Sequence, residues 1–137
     1  MGFFDFMTED IAIDLGTANT LIIHNGKVVI DSPSIVVRNR ITGKIIAVGK
    51  EANLMQGKTH ENIKTIRPLK DGVIADFQAS EEMIKEFVKQ IPSIKKRLFS
   101  PALRMLICIP SGITEVERRA VQDSARHMNA KEIYLIF

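Results

Sequence analysis

The run Ile11-Ala12-Ile13-Asp14-Leu15-Gly16-Thr17-Ala18-Asn19-Thr20-Leu21-Ile22-Ile23 places a carboxylate and a glycine turn between two short apolar segments of β type. Ile11 to Leu15 reads as a buried strand and Thr20 to His24 as its hairpin partner. The connection is small and polar. A glycine there lets the backbone approach a ligand with no Cβ in the way, and the successive N–H groups of Gly16, Thr17, Ala18 and Asn19 form a candidate anion-binding nest. Asp14, at the strand end, is placed to hold a hydrated Mg²⁺ beside the same phosphates, because that ion prefers oxygen ligands and keeps several waters. Local chemistry alone also allows a plain turn, since Asp next to Gly is common in tight connections. Other phosphate loops are excluded. No G-x-G-x-x-G opens a helix, and Gly57-Lys58-Thr59 fails as a P-loop because Ala52 stands where its first glycine is required, which leaves an exposed basic loop.

A chain of 137 residues suffices for one domain or one lobe of a larger protein. With 45% hydrophobic and 26% charged residues it is globular rather than disordered. The formal charge of +3 is modest. Lys95-Lys96-Arg97 is the only basic run and no aromatics interleave with it, so no nucleic-acid partner is expected. The lone Cys108 lies in the apolar segment Met105-Leu106-Ile107-Cys108-Ile109, where it reads as a small packed hydrophobe in a reducing cytosol. His24, His60 and His127 have no metal-ligand spacing among themselves or with Cys108. No apolar stretch approaches the roughly 20 residues of a membrane span, and the first residues lack the basic n-region of a secretory leader. Phe3, Phe4, Phe6 and Met7 nevertheless put four large apolar groups ahead of the first strand, a candidate for contact with a bilayer interface. Met1-Gly2 does not signal myristoylation, because Phe6 occupies the Ser/Thr position of that motif.

Asn25-Gly26 is a strong hairpin signal joining Leu21–His24 to Lys27–Asp31, so three antiparallel strands open the chain. Ser34 to Arg38 and Lys44 to Val48 are further strand candidates around Ile41-Thr42-Gly43. A short helical piece follows near Glu51 to Met55, and Ile63 to Arg67 reads as an edge strand stopped by Pro68. Asp71-Gly72 is a turn. Ser80 is then the expected helix cap, with Glu81 and Glu82 in the first turn and a buried face of Met83, Ile84, Phe87, Val88 and Ile91 ended by Pro92. Arg104 to Ile109 predicts a central strand buried on both faces. Thr114-Glu115-Val116-Glu117 is a capping box opening a helix expected to bury Ile113, Val116, Ala120, Val121 and Ala125. Ile133 to Phe137 is a last apolar strand. Ser111, between Pro110 and Gly112, does not meet the nucleophile-elbow pattern and reads as a loop residue before that helix.

This order predicts an α/β, ribonuclease-H-like fold: a mixed five-stranded sheet with right-handed crossovers, the Asp14 strand central, and a small inserted α+β subdomain. Strand carboxyl ends are where such sheets bind ligands.

Three segments, Asp14-Leu15-Gly16-Thr17-Ala18-Asn19-Thr20, Ile66-Arg67-Pro68-Leu69-Lys70-Asp71-Gly72-Val73-Ile74-Ala75-Asp76-Phe77 and Ile109-Pro110-Ser111-Gly112-Ile113-Thr114-Glu115-Val116-Glu117-Arg118-Arg119-Ala120, together resemble the MreB family, bacterial actin homologues that determine rod shape. The resemblance spans about Asp10 to Ile136. It implies an actin-type ATPase fold (the actin/hexokinase class) that binds ATP and Mg²⁺. It further implies polymerisation with copies of itself into cytoskeletal filaments that lie in the cytoplasm, peripheral to the inner face of the membrane, with cell-wall elongation proteins as partners. On this resemblance Gly16, Thr17, Ala18 and Asn19 belong to the first phosphate loop, with Asp14 near the metal. Residues 10–33 and 72–137 correspond to subdomain IA, residues 34–71 to the inserted subdomain IB, and residues 1–9 to an N-terminal tail with possible membrane contact. The water-activating glutamate, the second phosphate loop and the adenosine pocket of the family have no counterparts up to Phe137. An N-terminal lobe without ATPase activity or catalytic residues of its own is therefore expected. The rival readings are a lobe of a sugar- or acetate-kinase-like phosphotransferase, which shares the sheet and an Asp-Gly phosphate turn, and a DnaK-type chaperone lobe.

Overall fold

The computed structural model describes residues 8–56, 61–92, 102–109, 112–128 and 130–136. The Phe-rich start, Gly57-Lys58-Thr59, Lys95-Lys96-Arg97 and Ser111 lie outside the described residues. Strands β1 (Thr8–Leu15), β2 (Asn19–His24) and β3 (Lys27–Pro33) form the antiparallel meander. Asn25 and Gly26 both take positive φ, 52° and 75°, as a two-residue hairpin loop of this hand requires. The meander continues into a mixed five-stranded sheet of order β10-β9-β1-β2-β3, in which β9 (Ala102–Cys108) and β10 (Ala130–Ile136) run parallel to β1. The strand ending in Asp14-Leu15 is thus central, as patterning predicts.

Between β3 and the later strands the chain builds a second, three-stranded sheet. Its central strand β4 (Val36–Asn39) is antiparallel to both β5 (Ile45–Val48) and β6 (Ile63–Ile66). Alternation along β4 feeds two cores. Val36 joins the main cluster, while Val37 packs with Ile35, Ala47 and Ala52, the last from helix α1 (Gly49–Met55). A short hairpin of β7 (Leu69–Lys70) and β8 (Val73–Ile74) then leads to α2 (Phe77–Lys89).

The start of α2 corrects the sequence expectation. Asp76, not Ser80, is the N-cap, its carboxylate accepting the Ala79 N–H at 3.0 Å. Ser80 lies buried one turn further in and donates to the Asp76 carbonyl, so Glu81 and Glu82 fall outside the first turn. Phe77-Gln78-Ala79 carries no charge at the positive helix end, and the acidic pair downstream imitates a first turn. The predicted face does form the core: Met83, Ile84, Phe87, Val88 and Ile91 are all buried.

Helix α3 (Glu115–His127) opens with the full capping box: the Glu117 N–H donates to Thr114 Oγ1 at 3.2 Å, and the Thr114 N–H to the Glu117 carboxylate at 3.1 Å. Val121 and Ala125 are buried, Ile113 and Ala120 half-buried, but Val116 is 79% exposed, contrary to expectation. Val116 lies about 180° around the helix from Ala125, at about 100° per residue, so it points away from the buried face of Val121, Ser124 and Ala125. Strand β9 departs in the same way. Leu103, Met105 and Ile107 face the core formed with α2 and α3, whereas Arg104, Leu106 and Cys108 on the opposite face are only half-buried. That second face, which also carries Ala12, Ile23 and Tyr134, has no helix laid over it among the described residues, so a strand paired on both edges is covered on one side.

Candidate functional site

The carboxyl ends of β1 and β9 open onto a crevice of about 330 Å³ lined by Asp14, Leu15, Gly16, Thr17, Gly72, Cys108 and Ile109. Parallel pairing puts Asp14 directly beside Cys108, and the half-buried thiol therefore borders the crevice rather than the core. A larger concavity of about 500 Å³ spans Asp10, Ile23, Arg104 and Tyr134, but it is the shallow open face of the sheet, not a strand-end cleft.

Within the crevice the turn after β1 is tightly determined. The Gly16 N–H donates to the Asn19 carbonyl at 3.1 Å, and a Cβ added at Gly16 would stand 2.5 Å from that same oxygen. The glycine is thus required by the closure of its own turn, a reason beyond ligand approach. This bond uses one of the four N–H groups in the candidate nest. Those of Thr17 and Ala18 have no partner among the described residues, and residues 17–19 are exposed. Asn19 Nδ2 donates to Asp31 on β3 at 3.1 Å. Thr17 Oγ1 accepts the Gly72 N–H at 2.9 Å, joining the turn to the β7–β8 hairpin, where Asp71 and Gly72 carry φ of 50° and 73°.

Beneath the turn sit two hydroxyls that strand patterning does not single out. Ser34 Oγ donates to the Gly16 carbonyl at 2.7 Å and lies 2.8 Å from Thr20 Oγ1, both side chains being fully buried. Asp14 is exposed, and no cluster of three or more His, Cys, Asp or Glu forms among the described residues. A single exposed carboxylate suits a cation that keeps its waters, and the Thr17 and Ala18 N–H groups, unpartnered among the described residues, suit phosphate oxygens, so the donor set fits a hydrated Mg²⁺ and a nucleotide phosphate.

A ribonuclease-H-like mixed sheet, with a small sheet inserted after its third strand and a glycine turn at the strand-end crevice, defines an α/β protein of the actin-like class. The model of the MreB/Mbl protein family matches residues 8–137, and the chain belongs to that family. It is 48% identical over 134 residues to the cell shape-determining protein MreB of Pasteurella multocida (strain Pm70), covering 94% of this chain and 38% of that one. To the cell shape-determining protein Mbl of Bacillus subtilis (strain 168) it is 50% identical over 128 residues, covering 93% and 38%. The chain thus spans 38% of the length of these relatives. Among solved structures, MreB5 of Spiroplasma citri bound to AMPPNP superposes with a TM-score of 0.78 at 37% identity, over 94% of this chain and 38% of that one. A MamK double helical filament superposes with a TM-score of 0.72 at 18% identity, over 94% and 40%, a likeness of fold.

Proposed function

We propose that the chain is the N-terminal lobe of an ATP-binding, actin-like cytoskeletal protein that polymerises with copies of itself beneath the cell membrane and directs cell shape and wall synthesis together with wall-elongation proteins. The observation that carries this reading is the closed Asp14–Asn19 turn at the carboxyl ends of two parallel strands, in a chain whose relative MreB5 was crystallised with AMPPNP. Bound ATP and Mg²⁺ supply the phosphate and its neutralising cation. Thr17, Ala18 and Asn19 would offer the cradle's N–H groups, Gly16 would close the turn that carries them, and Asp14 would hold the ion. Positioned groups on both sides of a phosphate are needed for its transfer, and this lobe supplies one side, so hydrolysis belongs to the whole protein.

Light scattering of the full-length protein with Mg²⁺ and ATP tests the reading: filaments form with ATP and fail to form with Asp14→Ala. Phosphorylation of a sugar or acetate without filaments would instead favour the phosphotransferase. The 137-residue chain alone is expected to release no phosphate above a protein-free control, and steady release abolished by Asp14→Ala would overturn that expectation. Membrane attachment is assigned to Phe3, Phe4, Phe6 and Met7, each contributing at best roughly 1.5–3 kcal/mol when buried, a weak anchor that a filament multiplies by avidity. Filaments of the intact protein should pellet with liposomes while filaments of a protein starting at Thr8 should not, and equal pelleting refutes the anchor. No helix among the described residues is long and apolar enough to cross a membrane.

A further inference from the structure

Ser34 lies between β3 and β4, 18 positions from Gly16 in sequence, yet it holds the candidate phosphate turn at two points. Its Oγ donates to the Gly16 carbonyl at 2.7 Å, and its N–H donates to the Ala18 carbonyl at 2.9 Å. A serine hydroxyl has one proton. Because that proton is committed to Gly16, the 2.8 Å contact with Thr20 is a bond in which Thr20 O–H donates to Ser34 Oγ. The chain Thr20 to Ser34 to Gly16 is therefore directional, and both hydroxyl residues are 0% exposed.

A trans peptide is planar, with its C=O and N–H pointing in opposite directions. Drawing the Gly16 carbonyl down onto Ser34 turns the Thr17 N–H of the same peptide away from the buried hydroxyls. Drawing the Ala18 carbonyl onto the Ser34 N–H does the same for the Asn19 N–H. These are two of the groups assigned above to the phosphate cradle.

We propose that Ser34 is the positioning residue of the phosphate turn: it touches no phosphate itself, and by fixing the Gly16 and Ala18 carbonyls it sets the direction of the N–H groups that do. The proposal rests on the nucleotide reading given above and adds the element that preorganises its anion site. Without the Ser34 hydroxyl the Gly16 carbonyl has lost its buried donor, and the Gly16–Thr17 peptide is free to rotate toward another partner. A hydroxyl pair that merely glued β2 to the β3–β4 connection would lower thermal stability without discriminating among ligands. A positioning role predicts a loss specific to ligands that carry phosphate.

The test is calorimetric titration of the full-length protein, wild type and Ser34→Ala, with Mg²⁺-AMPPNP, Mg²⁺-ADP and adenosine. Ser34→Ala is expected to weaken both phosphate-bearing ligands by about tenfold or more, the equivalent of one charge-assisted hydrogen bond, and to leave adenosine within twofold. AMPPNP affinity within twofold of wild type, or an equal loss for all three ligands, overturns the proposal. Should Ser34→Ala not fold, Thr20→Val keeps the shape and removes only the proton given to Ser34. It is expected to weaken AMPPNP by a smaller factor, about threefold, with adenosine unchanged, and no effect on AMPPNP overturns the proposal. Wild-type protein that binds none of the three ligands overturns the nucleotide reading and this proposal with it, an outcome distinct from normal wild-type binding with an indifferent Ser34.

Discussion

Arg38 on β4 donates through its guanidinium to Glu82 on α2, so a residue of the small sheet is tied to the helix beneath the large one across 44 positions of sequence. The side chains are only 17% and 29% exposed, and Arg38 Nε is buried with no hydrogen-bond partner. The pair is thus desolvated and incompletely satisfied, which makes its loss asymmetric. Glu82→Gln leaves a half-buried cation facing a neutral amide and is expected to destabilise the protein by about 1–3 kcal/mol. Arg38→Met with Glu82→Gln removes the charge as well and should recover most of that loss. Urea denaturation of the two singles and the double variant closes the cycle, and additive losses would exclude a coupled pair.

The cap of α2 gives a second prediction. Asp76→Ala removes the acceptor of the Ala79 N–H and should cost about 1 kcal/mol. Ser80→Ala leaves the cap intact and removes a hydroxyl that donates only to the Asp76 carbonyl, one the helix already engages through the Ser80 N–H. Its expected cost is smaller, under about 0.5 kcal/mol. Melting temperatures in the reverse order would restore Ser80 as the helix start.

These two sites show where sequence patterning reaches and where it stops. The strand meander, the Asn25-Gly26 turn, the Thr114 capping box and the apolar stripe of α2 all depend on neighbours within a few positions, and each is legible as a spacing. Asp14 and the glycine turn are legible for the same reason. Asp76 and Ser80 are both good caps, and only the path of the β7–β8 hairpin decides between them. The supporting parts of the site were not legible. Ser34 and Thr20 acquire their roles from β2 lying beside β3, and Gly72 from a hairpin folded back onto Thr17. Val116 is apolar and sits in the capping box, yet it is about 180° around the helix from buried Ala125, which puts it on the outer face.

Gly16→Val tests the turn itself. Its Cβ would meet the Asn19 carbonyl at 2.5 Å, a backbone atom that moves only if the turn opens. In the full-length protein ATP affinity should fall at least about tenfold, one order for every roughly 1.4 kcal/mol of lost contact. Circular dichroism should stay unchanged, because residues 17–19 are exposed and carry little of the core. Affinity within twofold of wild type would place the phosphate site elsewhere.

The junction of the two sheets is decided at Gly49, the first residue of α1. Its φ is +64°, and a Cβ there would stand 2.1 Å from Ser32 Oγ and 2.8 Å from the ring of Phe87. Neither neighbour can yield freely. Ser32 Oγ accepts the Lys50 N–H at 2.9 Å, and Phe87 is 1% exposed at the centre of the core. Gly49→Ala therefore adds overpacking, typically about 1–3 kcal/mol, to the left-handed backbone cost of about 1–2 kcal/mol. Gly43 provides the control, since its φ is +74° with nothing within 4 Å of an added Cβ. Gly43→Ala should show the backbone cost alone. Chemical denaturation of both variants measures the difference directly: Gly49→Ala should be the less stable by about 1–3 kcal/mol, and equal losses would mean that the small sheet does not seat on α2 through this residue.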